Sequence, residues 1–550
     1  MNLITLNSVL RIFILCIIIC SCTMKKQAAL ILKNGTIYSV DSNFSVYSAM
    51  AIGKDGKILA TGSDEQILQK YNADSVYDLG KQCVMPGFID SHCHFYGYCI
   101  KLQTMANLKG SESFEEIIEI LKKHDEQFKA EWITGRGWDQ NDWKVKEFPD
   151  NSLLNKVFPD KPVVLVRIDG HAVIANNAAI SKVNLTPSGL KNKNEAIYKN
   201  GKFTGVFLEN TADLLKNAVP EVSINQIIKG FTKGQNDCFE VGLTTVADAG
   251  LTKKEVLLID SLQKEGTLKM RIYAMLEPSK ENLEHFVKKG IYKTDYLNIR
   301  SIKLYADGAL GSRGACLLST YSDDPGNQGI LVTSSDTIKA ICKIAYANGF
   351  QVNTHCIGDS ANRGILTIYG SFLKSKNDKR WRIEHAQVIH PSDFQLFGKF
   401  SVIPAVQSTH ATSDMYWAEQ RLGKQRVKSA YAYKQLIEQN GWIPNGTDFP
   451  VEEINPIYTF YAAFARKDLK GFPINGYQAE NALSRVEALR SITIWAAKAC
   501  FEEKEKGSLE KGKFADFVVL DKDIMKINDT EVPLVKVIKT YLNGKLVFSK

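Results

Sequence analysis

Eight short apolar runs, each ending in polar or charged residues, recur through the middle of this 550-residue chain. They lie near residues 86–92, 243–249, 269–276, 299–306, 350–355, 381–385, 401–406 and 442–448. Runs of this length and composition read as strands buried on both faces, and the stretches between them have helical character. Strand and helix alternating in this way place the chain in the α/β class, as a (β/α)8 TIM-like barrel. The gap after the first run is far too long for a plain βα connection. Residues 96–235 are therefore expected to form an inserted subdomain, with its own helix over Phe114–Phe128 and a strand over Val163–Ile168.

The two ends of the chain have a different texture. Over residues 28–85, Ala29-Leu30-Ile31-Leu32 is followed by Asn34-Gly35, a hairpin-type signal, and Met50-Ala51-Ile52 is followed by a Lys54–Lys57 turn. Over residues 508–550, Phe514–Leu520 reads as a strand, and Val535–Tyr541, Asn543-Gly544 and Leu546-Val547-Phe548 as a hairpin. Neither end is large enough to bury a core alone. Together they are expected to make one small β-sandwich domain, leaving 86–507 as the barrel domain.

The N-terminus changes the picture of location. Arg11 precedes Ile12–Ile19, an apolar stretch too short to span a bilayer, and Ile19-Cys20-Ser21-Cys22 resembles a bacterial lipobox. Residues 1–21 read as a signal peptide and Cys22 as the lipidation site, which would anchor the protein in the bacterial cell envelope, facing the periplasm or the exterior. The remaining eight cysteines are scattered without a CxxC pair, as buried thiols would be rather than as a disulfide framework. The net charge of +9 comes from Lys and Arg dispersed among nearly as many acids, so no basic stripe for nucleic acid is present.

Candidate chemistry sits at the ends of the apolar runs. The first ends in His92-Cys93-His94, and alternation along a strand would put both imidazoles on one side, where they can grip one metal ion. The other runs add Lys303, His355, His385 and Asp448. Barrel enzymes place their working groups at the carboxyl ends of strands. Loop residues with a less specific signal are Trp138, Asp139, His171, Arg313 and His410, read as substrate-facing. His124 and His285 sit in charged helical stretches and read as solvated, and His390, before Pro391, as a helix start.

The set resembles the amidohydrolase superfamily, and within it amidohydrolase family 3, which includes N-substituted formamide deformylases. The resemblance rests on Pro86–His94, Gly135–Asp139, Lys303–Arg313, Thr354–Asp359, Glu384–Gln387, Gly446–Pro450 and Gly507–Asp516. It implies that His92 and His94 bind one divalent metal, that His355 and His385 bind a second, and that Lys303 bridges them as a carbamate. It implies that Asp448 contacts the metal and accepts a proton from the attacking water. Two zinc ions are the expected cofactors, with iron or manganese as alternatives. The reaction expected is hydrolysis of a carbon–nitrogen bond other than a peptide bond, in a small amide, formamide or cyclic amide. Two alternatives stay open: a mononuclear deaminase using His92, His94, His355 and Asp448 with Lys303 unmodified, and a catalytically inactive metal-dependent binding lipoprotein. The substrate's identity and any homo-oligomeric state are left open.

Overall fold

The computed structural model describes residues 25–168, 172–190 and 195–550. Residues 1–24, with the expected signal segment and Cys22, lie outside the described residues, as does His171. The chain divides into two compact units. Of the described residues, one comprises those up to Cys93 with Cys238–Lys253 and Met270–Lys550; the other comprises those within His94–Asp237 and Lys254–Lys269.

The first unit holds the barrel. Seven strands follow one another in parallel: β1 (Phe88–Cys93), β2 (Leu243–Leu251), β3 (Arg271–Leu276), β4 (Leu297–Tyr305), β5 (Gln351–Cys356), β6 (Arg382–His385) and β7 (Ile403–Ala405). The eighth apolar run is not a regular strand, yet it closes the ring. On one side Val406 N donates to Pro444 O (3.0 Å) and Gly446 N to Val406 O (3.0 Å); on the other, Ser91 N donates to Asn445 O (3.3 Å) and Asp448 N to His92 O (2.8 Å). The irregularity has a local cause. Pro444 has no N–H to give, and Asp448 has φ 61°. At Gly446 a Cβ would fall 2.6 Å from Asp90 Oδ1 and from His92 N.

The covering helices are built from ordinary signals. The helix Ser335–Asn348 begins where Ser334 Oγ accepts Thr337 N (3.2 Å) and stops at Gly349, which has φ 72°. Its buried residues, Ile338, Ile341, Cys342 and Ala345, recur at the spacing of one helix face.

Two sheets lie beside the barrel, one built from the N-terminal end alone and one to which both chain ends contribute. One has four strands, in the order Ile58–Gly62, Ala49–Ile52, Lys26–Lys33, Tyr71–Asp78. In the other, Phe517–Leu520 from the C-terminal end pairs antiparallel with Cys83–Pro86 from the N-terminal end. Leu32, Met50 and Ile58 of the first sheet share a core with Ile37, Val84, Phe517 and Val519 of the second. The Asn34-Gly35 turn is not a hairpin. Lys26–Lys33 before it and Thr36–Tyr38 after it belong to different sheets, and a Cβ on Gly35 would lie 2.3 Å from Leu79 Cδ1. The dipeptide here serves a close crossing between sheets. Asn543-Gly544, with φ 51° and 67°, does join the antiparallel strands Val537–Leu542 and Lys545–Ser549.

The second unit is a six-stranded sheet, in the order Ala196–Lys199, Lys202–Leu208, Ala172–Ala175, Val163–Arg167, Ile133–Trp138, Met105–Asn107, with helix Phe114–Phe128 packed on it. His124 is a buried residue of that helix, its ring 4.6 Å from that of Phe128, and is not solvated. The eight cysteines after Cys22 are all free thiols, and all but Cys316 are buried.

Candidate metal centre

Every residue of β1 is buried. An Asp inside such a strand must find donors, and Asp90 finds three: His92 N (3.0 Å), Thr447 N (3.1 Å) and Thr447 Oγ1 (2.7 Å). Burial pushes its carboxyl up to about 7 despite those bonds. Asp90 therefore ties the end of β1 to the closing segment and sets His92 against Asp448. The strand ends at Cys93, and His94 is the residue at which helix Phe95–Thr104 begins.

His92 is fully buried. Its Nδ1 contacts Glu384 Oε2, and its Nε2 lies 3.0 Å from Lys303 Nζ and 3.7 Å from Asp448 Oδ1. Desolvation, with the Lys303 ammonium beside it, lowers its pKa to about 4, so the ring is neutral at pH 7. Lys303 is buried on β4, and the same desolvation lowers its ammonium to about 8.

The ends of β5 and β6 bring His355 and His385 together, ring centroids 4.6 Å apart in a T-shaped arrangement. Burial and the Lys303 charge lower His355 to about 3; burial, then the neighbouring His355, pushes His385 well below its ordinary value. His355 Nε2 is 3.7 Å from Asp307 Oδ1. Asp307 braces this corner by accepting Ile357 N (2.9 Å), Gly358 N (2.7 Å) and Cys316 N (2.9 Å). His410, from helix Ser408–Asp414, stacks on His385 with centroids 5.8 Å apart. Its Nε2 is 3.8 Å from Asp448 Oδ2 and 3.9 Å from Glu452 Oε1.

Among the described residues, two sets of groups are close enough to share an ion. One ligand atom each from His92, His94 and Asp448 lies within 4.8 Å of the others, and the same holds for His385, His410 and Asp448. The donor set fits a divalent metal on two further grounds. His355 Nε2, His385 Nδ1 and His410 Nε2 are buried and make no hydrogen bond, although a buried imidazole nitrogen ordinarily finds a partner. The rings of His92, His355 and His385 are also held neutral at pH 7 by burial and so present lone pairs, as hydrolytic metals require. The backbone is strained at the same place: His385, Ala386 and Asp448 have φ of 72°, 42° and 61°, each costing on the order of 1–3 kcal/mol.

The remaining sequence-predicted residues lie elsewhere. Trp138 is fully buried in the core of the second unit, beside Trp143, and its indole N–H donates to Leu165 O (2.9 Å). Asp139 pairs with Arg167 (2.5 Å). Arg313 is held by Asp323 through Nε (3.1 Å) and Nη2 (3.0 Å), in a loop pair that also engages Arg421. His390 caps a short helical turn, accepting Ser392 N at 3.3 Å. Sequence reading passed over Asp90, Asp307, Glu384 and Glu452. Asp90 and Glu384 carried a usable signal, an acid inside an apolar strand one or two residues before a histidine.

The comparisons with known proteins agree with this geometry. The model of the amidohydrolase family matches residues 75–548. The putative amidohydrolase YtcJ of Bacillus subtilis (strain 168) is 29% identical over 507 residues, covering 90% of this chain and 95% of that protein. The N-substituted formamide deformylase of Arthrobacter pascens is 23% identical over 552 residues, covering 96% and 99%. Among solved structures, an uncharacterized metal-dependent hydrolase from Pyrococcus horikoshii OT3 superposes with a TM-score of 0.77 at 29% identity, covering 91% of this chain and 99% of the other. With the family model matched over most of its length, and a nearly closed parallel barrel carrying the histidines at strand ends, this chain belongs to the amidohydrolase family.

Proposed function

We propose that this protein is a metal-dependent hydrolase of a carbon–nitrogen bond other than a peptide bond, in a small amide, formamide or cyclic amide. The observation that carries the reading is the group of buried histidine nitrogens without hydrogen bonds beside Asp448. Likeness to an amidohydrolase, a formamide deformylase and a metal-dependent hydrolase supports it. His92, His94 and Asp448 would hold one ion; His355 and His385, with Lys303 as a bridging carbamate, would hold a second. A divalent metal in such a site polarises the scissile carbonyl and makes water acidic enough to attack at neutral pH. Asp448 takes the proton from the attacking water and passes it to the leaving nitrogen. His410 faces the same space and would donate a hydrogen bond where negative charge develops on the carbonyl oxygen. Lipid attachment at Cys22 and a place in the bacterial cell envelope remain part of the proposal on the sequence of residues 12–22. Labelling with palmitate that disappears in Cys22→Ala tests them.

A second reading uses the same residues. A mononuclear deaminase would use His92, His94, His355 and Asp448 with Lys303 unmodified. Metal content read together with intact mass separates the two. About two metals per chain and one added carbamate support the bridged hydrolase. One metal and an unmodified lysine support the deaminase. No bound metal after reconstitution overturns both enzymatic readings.

A further inference from the structure

We propose that Glu384, braced by Arg382, is a positioning residue that fixes the ring tautomer of His92 and so aims its Nε2 lone pair into the metal centre. The inference rests on the metal-dependent reading above and extends it to a pair of residues outside the ligand set.

Glu384 and Arg382 lie on β6 and are both fully buried. Their charges face each other at 2.7 Å between Arg382 Nε and Glu384 Oε1, and Arg382 Nη2 donates to Glu384 Oε2 at 2.9 Å. The same Nη2 reaches Ser91 O at 2.6 Å, so one guanidinium holds both the carboxylate and the backbone beside His92. Glu384 Oε2 then meets His92 Nδ1 across the inside of the barrel, between strands that are not neighbours.

An ionised carboxylate can only accept hydrogen bonds. Paired with Arg382, Glu384 stays ionised, so Nδ1 must carry the ring proton and Nε2 must carry the lone pair. Nε2 is the atom that faces Lys303 and Asp448. In the other tautomer an N–H would point at the cation site, and one ligand would be lost. A carboxylate that orients a ligating imidazole typically changes metal affinity by roughly 10–100-fold when removed. A charge pair that served packing alone would have no reason to reach a ring nitrogen of the neighbouring ligand.

The test is zinc affinity of the apo-protein, measured by competition with a chromogenic chelator, with the urea midpoint of each sample taken alongside. Glu384→Gln keeps the shape and loses the charge. Glu384→Asp keeps the charge for Arg382 and withdraws it from the ring. Both are expected to bind zinc roughly 10–100-fold more weakly. Asp516→Asn, which breaks a buried pair with Arg271 elsewhere in the barrel, is expected to lower the midpoint and leave zinc affinity unchanged. Affinity within twofold of wild type in both Glu384 variants overturns the proposal. So does an equal loss in Asp516→Asn, which would make the effect one of general loosening. If neither Glu384 variant folds, selective ¹⁵N-histidine labelling of the wild-type apo-protein decides: His92 protonated at Nδ1 supports the proposal, and at Nε2 overturns it. Wild-type protein that binds no zinc refutes the metal-dependent reading itself, whereas normal wild-type binding with unaffected variants refutes only the role of Glu384.

Discussion

The two ends of the barrel bury charge in opposite ways. At the amino end, Arg271, the first residue of β3, pairs with Asp516 through Nε (2.7 Å) and Nη2 (3.1 Å). Its remaining hydrogens go to Asp295 O and Asn543 Oδ1, and its guanidinium lies 4.1 Å from the centroid of the Phe514 ring. Every nitrogen of that guanidinium is engaged. At the carboxyl end, equally buried, His355 Nε2, His385 Nδ1 and His410 Nε2 make no hydrogen bond, and three residues hold left-handed backbone. Leaving a buried polar atom unpaired costs about 1–3 kcal/mol each. The fold tolerates that cost at the three histidines and avoids it at Arg271. The difference separates groups placed for stability from groups kept ready for a ligand.

The comparison breaks first at Asp448. Asp448→Asn should lower kcat/KM by roughly 10²–10⁴-fold on whichever amide of a substrate panel the wild-type protein turns over, while the circular dichroism melt stays close to wild type. Turnover within tenfold of wild type would move proton transfer to another residue. Asp516→Asn should do the reverse. It strands a buried arginine without its anion, a change that costs about 3–5 kcal/mol. Its urea midpoint should fall clearly, with kcat/KM per folded molecule unchanged. If its activity fell as steeply as its stability, the two ends would not be separable.

Much of this contrast was legible in sequence, for a physical reason. A strand buried on both faces is apolar along its length, so a polar residue where the run stops marks the strand's end. Each of His92, Lys303, His355, His385 and Asp448 was found at such a stop or within a few residues of it. The closing segment was placed correctly by its apolar run, but Pro444 and Gly446 kept it from being a regular strand. Glu384 was detectable as an acid inside an apolar strand, but its partner was not, because that partner lies 292 residues away and meets it only when the barrel closes. Asn34-Gly35 misled because turn propensity is local, while the strands on either side find their partners in different sheets. His124 was legible and missed: it follows Ile117 and Leu121 at helical spacing, on the buried face of its helix.

The finest distinction between the ends is in how they titrate. His355 has a folded pKa of about 3, lowered from 6.5 by burial and then by the Lys303 charge. Above pH 6.5 the ring is neutral in both folded and unfolded chains, and the shift has no effect on stability. As pH falls below 6.5, the unfolded chain takes up a proton that the folded chain refuses until about pH 3. Stability is therefore lost across that window, by up to about 1.4 kcal/mol per pH unit. Asp90 and Asp307, raised by burial to about 7 and about 6, act with the opposite sign: their contribution is lost as pH rises. The whole-protein curve mixes these terms, so the measurement is a difference between apo wild type and apo His355→Asn in urea unfolding at pH 6.5, 6.0, 5.5 and 5.0. Wild type should lose stability relative to the variant as the pH drops, with a slope approaching that value. At the amino end Arg271 stays protonated throughout this range and opens no such window. A flat difference for His355→Asn would mean that its ring takes up a proton as readily in the folded protein as in the unfolded chain, and that burial at the carboxyl end does not hold the metal-site histidines neutral.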